Sequence, residues 1–251
     1  MPAEIRKTTI LEQVAGRGFV ETRELARKLS VSELTIRRDL EALESQALLK
    51  RVRGGAVSTG YSELPFNARA DQYAEEKRRI AEKAASFIRD GDCILLEAGT
   101  TVSAMLPMVL KRRNLKVVTH AINIAGTLLR CPEIQLTVIG GSVRSLSWAT
   151  VGAMAEDAVG ELYFEKLFLS CDGVTVENGL TAYDESEARL NRRMIERAAQ
   201  CYLLADHSKF GRDALHRVVP LQMVQVILTD SGIAPEILES LRGQGPEVVV
   251  V

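Results

Sequence analysis

Residues 31–57 read VSELTIRRDLEALESQALLKRVRGGAV, and their spacing predicts a capped helix, a basic strand and a tight turn in immediate succession. Ser32 offers a side-chain oxygen to the orphaned N–H groups of a helix start, so helix is expected from Glu33 to about Ser45. Ile36, Leu40 and Leu43 recur at i, i+4 and i+7 and form one apolar stripe that must face a small core. At about 100° per residue, Leu34, Thr35, Arg37, Arg38 and Glu41 then point outward. Such a face can enter a major groove, where arginine pairs with guanine edges or holds phosphates. An ordinary solvated surface would carry the same residues, so the flanks decide.

Upstream, Ile10, Leu11 and Val14 make one apolar stripe, and Leu25, Ala26 and Leu29 make a second behind Thr22, the expected cap. Ser30-Val31-Ser32 has the length of the turn joining two crossed helices in a helix-turn-helix. Downstream, Leu49-Lys50-Arg51-Val52-Arg53 runs through Gly54-Gly55 into Ala56-Val57. Two glycines tolerate the positive φ angles of a two-residue hairpin, so Gly54-Gly55 is expected to turn a β-wing. The layout is that of a winged helix-turn-helix for double-stranded DNA. Its expected contacts are Thr22, Ser32, Leu34, Thr35, Arg37, Arg38, Lys50, Arg51 and Arg53.

The chain has 251 residues and a net charge of −1, room for a domain over 1–57, a linker over 58–74 and a larger domain over 75–251. Residues 1–57 hold 11 Lys+Arg against 8 Asp+Glu, and the remainder 21 against 25. The positive balance thus falls on the expected DNA-binding side, though placement of the arginines says more than the sum. Cys93, Cys131, Cys171 and Cys201 are widely spaced and the histidines unclustered, which points to buried structural thiols, no metal and no cofactor. The N-terminus lacks an apolar signal core, and no window nears the roughly 18 apolar residues of a spanning helix. A cytoplasmic protein is expected.

The linker carries Gly60 and Pro65 without periodicity, and a charged amphipathic helix follows from Glu75, with Ile80, Ala84, Phe87 and Ile88 inward. Beyond it, apolar strands are expected at 93–96, 115–119, 134–139, 166–171, 201–205, 225–229 and 247–251. Helices are expected at about 102–112, 121–130, 184–200 and 234–242. This alternation predicts α/β layers on a mostly parallel sheet, with ligands beyond the carboxyl ends of the strands. Glu97-Ala98-Gly99-Thr100-Thr101 joins a strand to a helix in a form suited to a phosphate, and equally in the form of a plain capped turn. Thr119-His120, Gly140-Gly141 with Arg144, Asp172-Gly173 and Asp206-His207-Ser208-Lys209 close further strands. Together they suit a phosphorylated polyol.

The runs S-E-L-T-I-R-R-D-L-E-A-L and L-L-K-R-V-R-G-G-A resemble the amino-terminal signature of the DeoR family of bacterial sugar-catabolism repressors. The likeness continues through E-A-G-T-T, V-V-T-H-A-I-N-I-A, I-G-G-S-V-R, C-D-G-V followed by G-L-T, D-E-S-E-A and A-D-H-S-K-F-G, over roughly residues 5–242. It implies an effector domain similar in fold to ribose-5-phosphate isomerase. By position, it also implies that Gly99, Thr100 and Thr101 hold an effector phosphate, with Thr119, His120, Arg144, Asp172, Asp206 and Lys209 around the sugar. The chain departs from the family at Leu34, usually polar; Arg53, commonly histidine; Glu97, usually aspartate; and His120, usually asparagine.

Two readings follow. One is a repressor released from its operator by a sugar phosphate; paired half-sites make a homodimer or homotetramer the expected state. The other is a sugar-phosphate isomerase with Glu187 as general base beside Asp172. Against the second stand Val176-Glu177-Asn178-Gly179, where such isomerases carry a lysine-glycine-rich run, and an N-terminal domain that a free-standing enzyme does not need.

Overall fold

The apolar stripe Ile36-Leu40-Leu43 is buried, and the small N-terminal unit is assembled around it. The computed structural model describes residues 2–17, 19–46, 48–57 and 63–251, in two compact units, Met1–Gln72 and Tyr73–Val251. The first contains α1 (Ala3–Arg17), β1 (Phe19–Glu21), α2 (Thr22–Lys28), α3 (Glu33–Ser45), β2 (Lys50–Val52), β3 (Gly55–Val57) and α4 (Phe66–Asp71). Ile10, Leu11 and Val14 of α1, Leu25 of α2 and Ile36, Leu40 and Leu43 of α3 are all buried. Ser30, at φ +53, makes the bend between α2 and α3.

The wing has three strands, in the order β1-β3-β2, all antiparallel. Val52 pairs with Gly55, so the two-residue turn is Arg53-Gly54, one residue earlier than expected. Gly54 alone takes the positive φ, +92. Gly55 sits in the strand for a different reason: a Cβ there would lie 1.9 Å from the carbonyl oxygen of Val20. The short β1 escaped the sequence reading because three residues establish no period. Part of the expected linker is helical, as α4 with Phe66 and Ala68 buried; residues 58–62 lie outside the described residues.

The second unit contains α5 (Ala74–Ala85), β4 (Cys93–Leu96), α6 (Thr100–Ser103), α7 (Leu106–Val109), β5 (Lys116–Thr119), α8 (Ile122–Leu128), β6 (Gln135–Val138), β7 (Ser142–Arg144), β8 (Ala149–Val151) and α9 (Ala153–Gly160). There follow β9 (Phe164–Leu169), β10 (Gly173–Thr175), β11 (Gly179–Ala182), α10 (Glu185–Glu196), β12 (Ala198–Leu204), β13 (His216–Val219), β14 (Val226–Thr229), α11 (Pro235–Leu241) and β15 (Glu247–Val250). Seven strands pair in the order β15-β14-β12-β9-β4-β5-β6, every neighbour parallel. The five inner strands are buried on both faces over most of their length, which is why they read as apolar runs, whereas the edge strands β6 and β15 are largely exposed. Leu95, Leu167, Leu203 and Ile227 face one core with α9, α10 and α11. Ile94, Phe168, Leu204 and Leu228 face the other with α5 and α8.

Three features depart from the expected elements. The helix expected at 102–112 is two single turns, α6 and α7, because Pro107 in the first turn of α7 has no N–H to continue the ladder. The helix expected at 184–200 stops at Glu196. Residues 198–200 instead begin β12, where Ala198 pairs with Phe164 and Gln200 with Lys166. The β7–β8 hairpin, α9 and the antiparallel sheet β10-β11-β13 are insertions on the frame.

From β4 the chain builds outward through β5 and β6, then returns to the other side of β4 as β9. The order therefore reverses between β4 and β9. Ligands of open α/β sheets bind in the crevice at such a reversal, beyond the carboxyl ends.

Candidate functional site

On α3, Ser32 caps the helix by accepting the Thr35 N–H at 3.1 Å. Leu34, Arg37, Arg38 and Glu41 are exposed and Thr35 is half-exposed, as the helical period requires. Asp39 points the other way and was not singled out from sequence. It is buried and receives Nε of Arg6 at 2.5 Å and a second guanidinium N–H at 3.0 Å, a bidentate bond that fastens α3 to α1. That bond raises the Arg6 pKa, against the opposing effect of burial.

Lys50, Arg51 and Arg53 are exposed on the wing. Arg51 is also structural: its backbone N–H and Nε reach the two carboxylate oxygens of Glu44 at 2.8 and 2.7 Å, tying β2 to α3. These bonds, the backbone one first, lower the Glu44 pKa. A cleft between α2, α3 and the wing turn is lined by Arg23, Glu33, Arg37, Arg51 and Arg53. Thr22 does not cap α2. The cap position is Glu21, whose side chain makes no cap bond. Thr22 is buried, and its N–H donates to the Gly54 carbonyl at 2.9 Å, so it braces the wing turn rather than facing solvent.

In the second unit, the reversal point is closed by Glu97. One carboxylate oxygen accepts the N–H of Gly99 at 2.9 Å, the N–H of Ser170 at 3.0 Å and the Ser170 hydroxyl at 2.9 Å. Strand ends β4 and β9 are thereby clamped. A Cβ on Gly99 would fall 1.9 Å from Ser170 Oγ, so this glycine is required by the clamp itself. Thr100, half-exposed, and Thr101, buried, open α6 directly after it.

Thr119 and His120 belong to the frame, contrary to expectation. Thr119 Oγ1 donates to the Leu96 carbonyl at 2.7 Å and accepts the Ala121 N–H at 3.0 Å. His120 Nδ1 bonds the Thr150 carbonyl at 3.0 Å and Nε2 accepts the Ala98 N–H at 3.2 Å. Burial pushes its pKa down to about 4. It is a neutral ring with both nitrogens committed to backbone.

The remaining groups follow the ends of β9 and β12 and the hairpins beside them. The Cys171 thiol lies within electrostatic reach of Asp172, Lys209, Glu97 and Asp206, and burial, then Asp172, raise its pKa far above the ordinary value. Asp172 accepts the Tyr183 N–H at 3.0 Å. The next residue, Asp184, pairs with Arg144 at 3.3 Å, and Arg144 also reaches Glu187 at 3.3 Å. Asp206 is fully buried; Oδ1 accepts the Ser208 N–H and hydroxyl, while Oδ2 has no partner among the described residues. Gly141 takes φ +148, where a Cβ would meet the Val151 carbonyl; Gly140 beside it is exposed. Gly173 has no room for a side chain either, with Arg212 O and Thr181 Oγ1 within 2.6 Å of where one would start.

A second pair went unnoticed in the sequence. Asp230, at the end of β14, accepts the His207 N–H and ring Nδ1, each at 2.8 Å, and the Gly232 N–H at 2.9 Å. Burial raises the Asp230 pKa, but these three bonds together outweigh it and leave the pKa lowered. The His207 ring meets Tyr73 edge-on at 4.7 Å. The signal was present, since Thr229-Asp230 follows a strand just as Ala205-Asp206 does.

A winged helix-turn-helix in front of an α/β domain with a polar strand-end site defines a DNA-binding transcriptional regulator with a sensor domain. Residues 6–60 match the family model described as DeoR-like helix-turn-helix domain, and residues 72–231 match the DeoR C terminal sensor domain. The glycerol-3-phosphate regulon repressor of Escherichia coli K12 is 35% identical over 227 residues, 90% of this chain and 90% of that protein. A lactose phosphotransferase system repressor of Staphylococcus epidermidis is 33% identical over 231 residues, covering 90% and 91%. The chain belongs to the DeoR family of transcriptional regulators. Among solved structures, a D-ribose-5-phosphate isomerase in complex with phospho-erythronic acid overlaps 55% of this chain and 54% of its own at TM-score 0.41 and 16% identity. A likeness that loose carries no chemistry over. Among the described residues, no helix is long and apolar enough to cross a membrane, and no three His, Cys, Asp or Glu cluster as metal ligands.

Proposed function

We propose that this regulator represses an operon for carbohydrate use and is released from its operator by a phosphorylated sugar bound at the ends of β4, β9 and β12. The observation that carries the proposal is the unpartnered Oδ2 of Asp206, a buried carboxylate oxygen; Asp206, Lys209 and Asp172 all lie within electrostatic reach of the Cys171 thiol. Buried polar atoms are nearly always satisfied, and a sugar hydroxyl is the donor this position calls for. The phosphate is assigned to the Gly99-Thr100-Thr101 turn, and the polyol to Asp172, Asp206, Lys209 and Arg144, with Gly140 and Gly141 at the rim. The names of the relatives, a glycerol-3-phosphate regulon repressor and a lactose phosphotransferase system repressor, support this ligand class.

The site binds and does not turn over. Glu187, the candidate base, is engaged by Arg144, and the matched families regulate transcription. Release follows from linkage: an effector that favours a state with misplaced DNA-binding heads works against DNA affinity, reciprocally. The loop of Asp206 and Lys209 includes His207, which touches Tyr73, the first residue after Gln72. That is a short path from the site to the chain leading to the DNA-binding unit. A homodimer or homotetramer in the cytoplasm completes the proposal.

Thermal-shift screening of the full chain against pentose, hexose and triose phosphates tests it. One compound is expected to raise the melting temperature and lower affinity for operator DNA. Turnover of any of them, or stabilisation by none, would refute it.

A further inference from the structure

Glu33, the first residue of α3, places a carboxylate beside the outward arginines assigned above to DNA. One of its oxygens lies 3.3 Å from Nε of Arg23 on α2, and the other 3.5 Å from a guanidinium nitrogen of Arg37, one turn along. The side chains are well exposed, 75% for Arg23, 68% for Arg37 and 41% for Glu33. Ion pairs so exposed add little to stability and are weakened by salt. A negative charge here also repels every duplex, whatever its sequence. Glu44, on the same helix, has a structural purpose, because it binds the backbone of β2. Glu33 instead pairs with two guanidinium groups of the DNA-facing cleft.

We infer that Glu33 is a positioning residue for sequence discrimination, holding the Arg37 guanidinium toward base edges and offsetting its attraction to phosphates. An arginine fixed beforehand loses less freedom on forming a bidentate pair with a guanine edge. One already neutralised by a carboxylate gains less from a bare phosphate. Both effects widen the gap between the right sequence and all others. The inference rests on the DNA-binding reading of α3 and adds to it the use of a repelling charge for selectivity.

Duplexes enriched from a random pool by the wild-type full chain supply the specific probe, and a scrambled duplex of equal length the non-specific one. Glu33→Gln is expected to strengthen non-specific binding, steepen the log–log salt slope by about one, and lower the specific-to-non-specific ratio about tenfold. Glu33→Asp keeps the charge but withdraws it by one methylene, and should lower the ratio without strengthening non-specific binding. In an Arg37→Ala background, Glu33→Gln should leave the ratio unchanged. A ratio unchanged or raised in either single Glu33 variant would overturn the inference, because losing a repelling charge alone strengthens both duplexes alike and withdrawing the carboxylate matters only if it positions Arg37. Failure of the wild type to enrich any sequence would overturn the DNA-binding reading itself, and this inference with it.

Discussion

Acidification should cost this protein stability through one buried imidazole. His120 is 1% exposed, with Nδ1 on the Thr150 carbonyl and Nε2 on the Ala98 N–H. Burial lowers its pKa from 6.5 to about 4, and the bond to Thr150 opposes this only in part. In the unfolded chain the ring is protonated near its ordinary value. Between about pH 6.5 and pH 4 the unfolded state therefore binds more protons than the folded one, and stability falls as pH falls. Above that window the contribution is fully present. The span corresponds to about 3 kcal/mol, of which about 2 kcal/mol is lost by about pH 5. For a unit of this size, 2 kcal/mol amounts to roughly 4–8 °C in melting temperature. Thermal unfolding of the wild type and His120→Asn at about pH 7.5 and about pH 5 measures it, because the difference between the two proteins isolates this one ring. The wild type should lose about 2 kcal/mol more than the variant on acidification; losses equal within about 0.5 kcal/mol would refute the neutral, backbone-bound ring.

Other substitutions test separate parts of the account. Asp39→Ala removes the bidentate carboxylate from the buried Arg6 guanidinium and should cost about 3 kcal/mol, read by chemical denaturation. Gly55→Ala drives a methyl into the Val20 carbonyl and should cost at least about 3 kcal/mol, whereas Gly54→Ala, in open space at φ +92, should cost only about 1 kcal/mol; circular dichroism melts compare them. Arg38→Ala should weaken operator binding by about 1–3 kcal/mol in gel shifts, and unchanged affinity would remove the outward face of α3 from the interface. Thr100→Val with Thr101→Val should leave DNA binding intact and abolish release by the metabolite identified in the screen.

The winged domain was legible because it is built from local patterns. Ser32 as cap, the Ile36-Leu40-Leu43 stripe and the bounds of α3 all follow from spacing within a single helix. The inner strands of the parallel sheet were legible as apolar runs, since burial on both faces leaves no alternation to interpret. What could not be read was decided between distant segments. Gly54 and Gly55 look equivalent in sequence, and only the approach of Val20 separates a turn glycine from a packing glycine. Residues 198–200 read as helix until Phe164 and Lys166 supply a strand partner. His120 has the composition of a ligand contact, yet Thr150, thirty residues on, takes one of its nitrogens and Ala98 the other. Arg6 and Asp39 are both charged, and nothing near either residue announces that they meet in a core.

The most direct measurement is binding of the purified full chain to duplex fragments of its own genome, titrated over salt with and without sugar phosphates. The account predicts an attachment that weakens steeply with salt, and one phosphorylated sugar that lowers it about a hundredfold. No salt-sensitive binding to any fragment, or binding indifferent to every sugar phosphate, would contradict it.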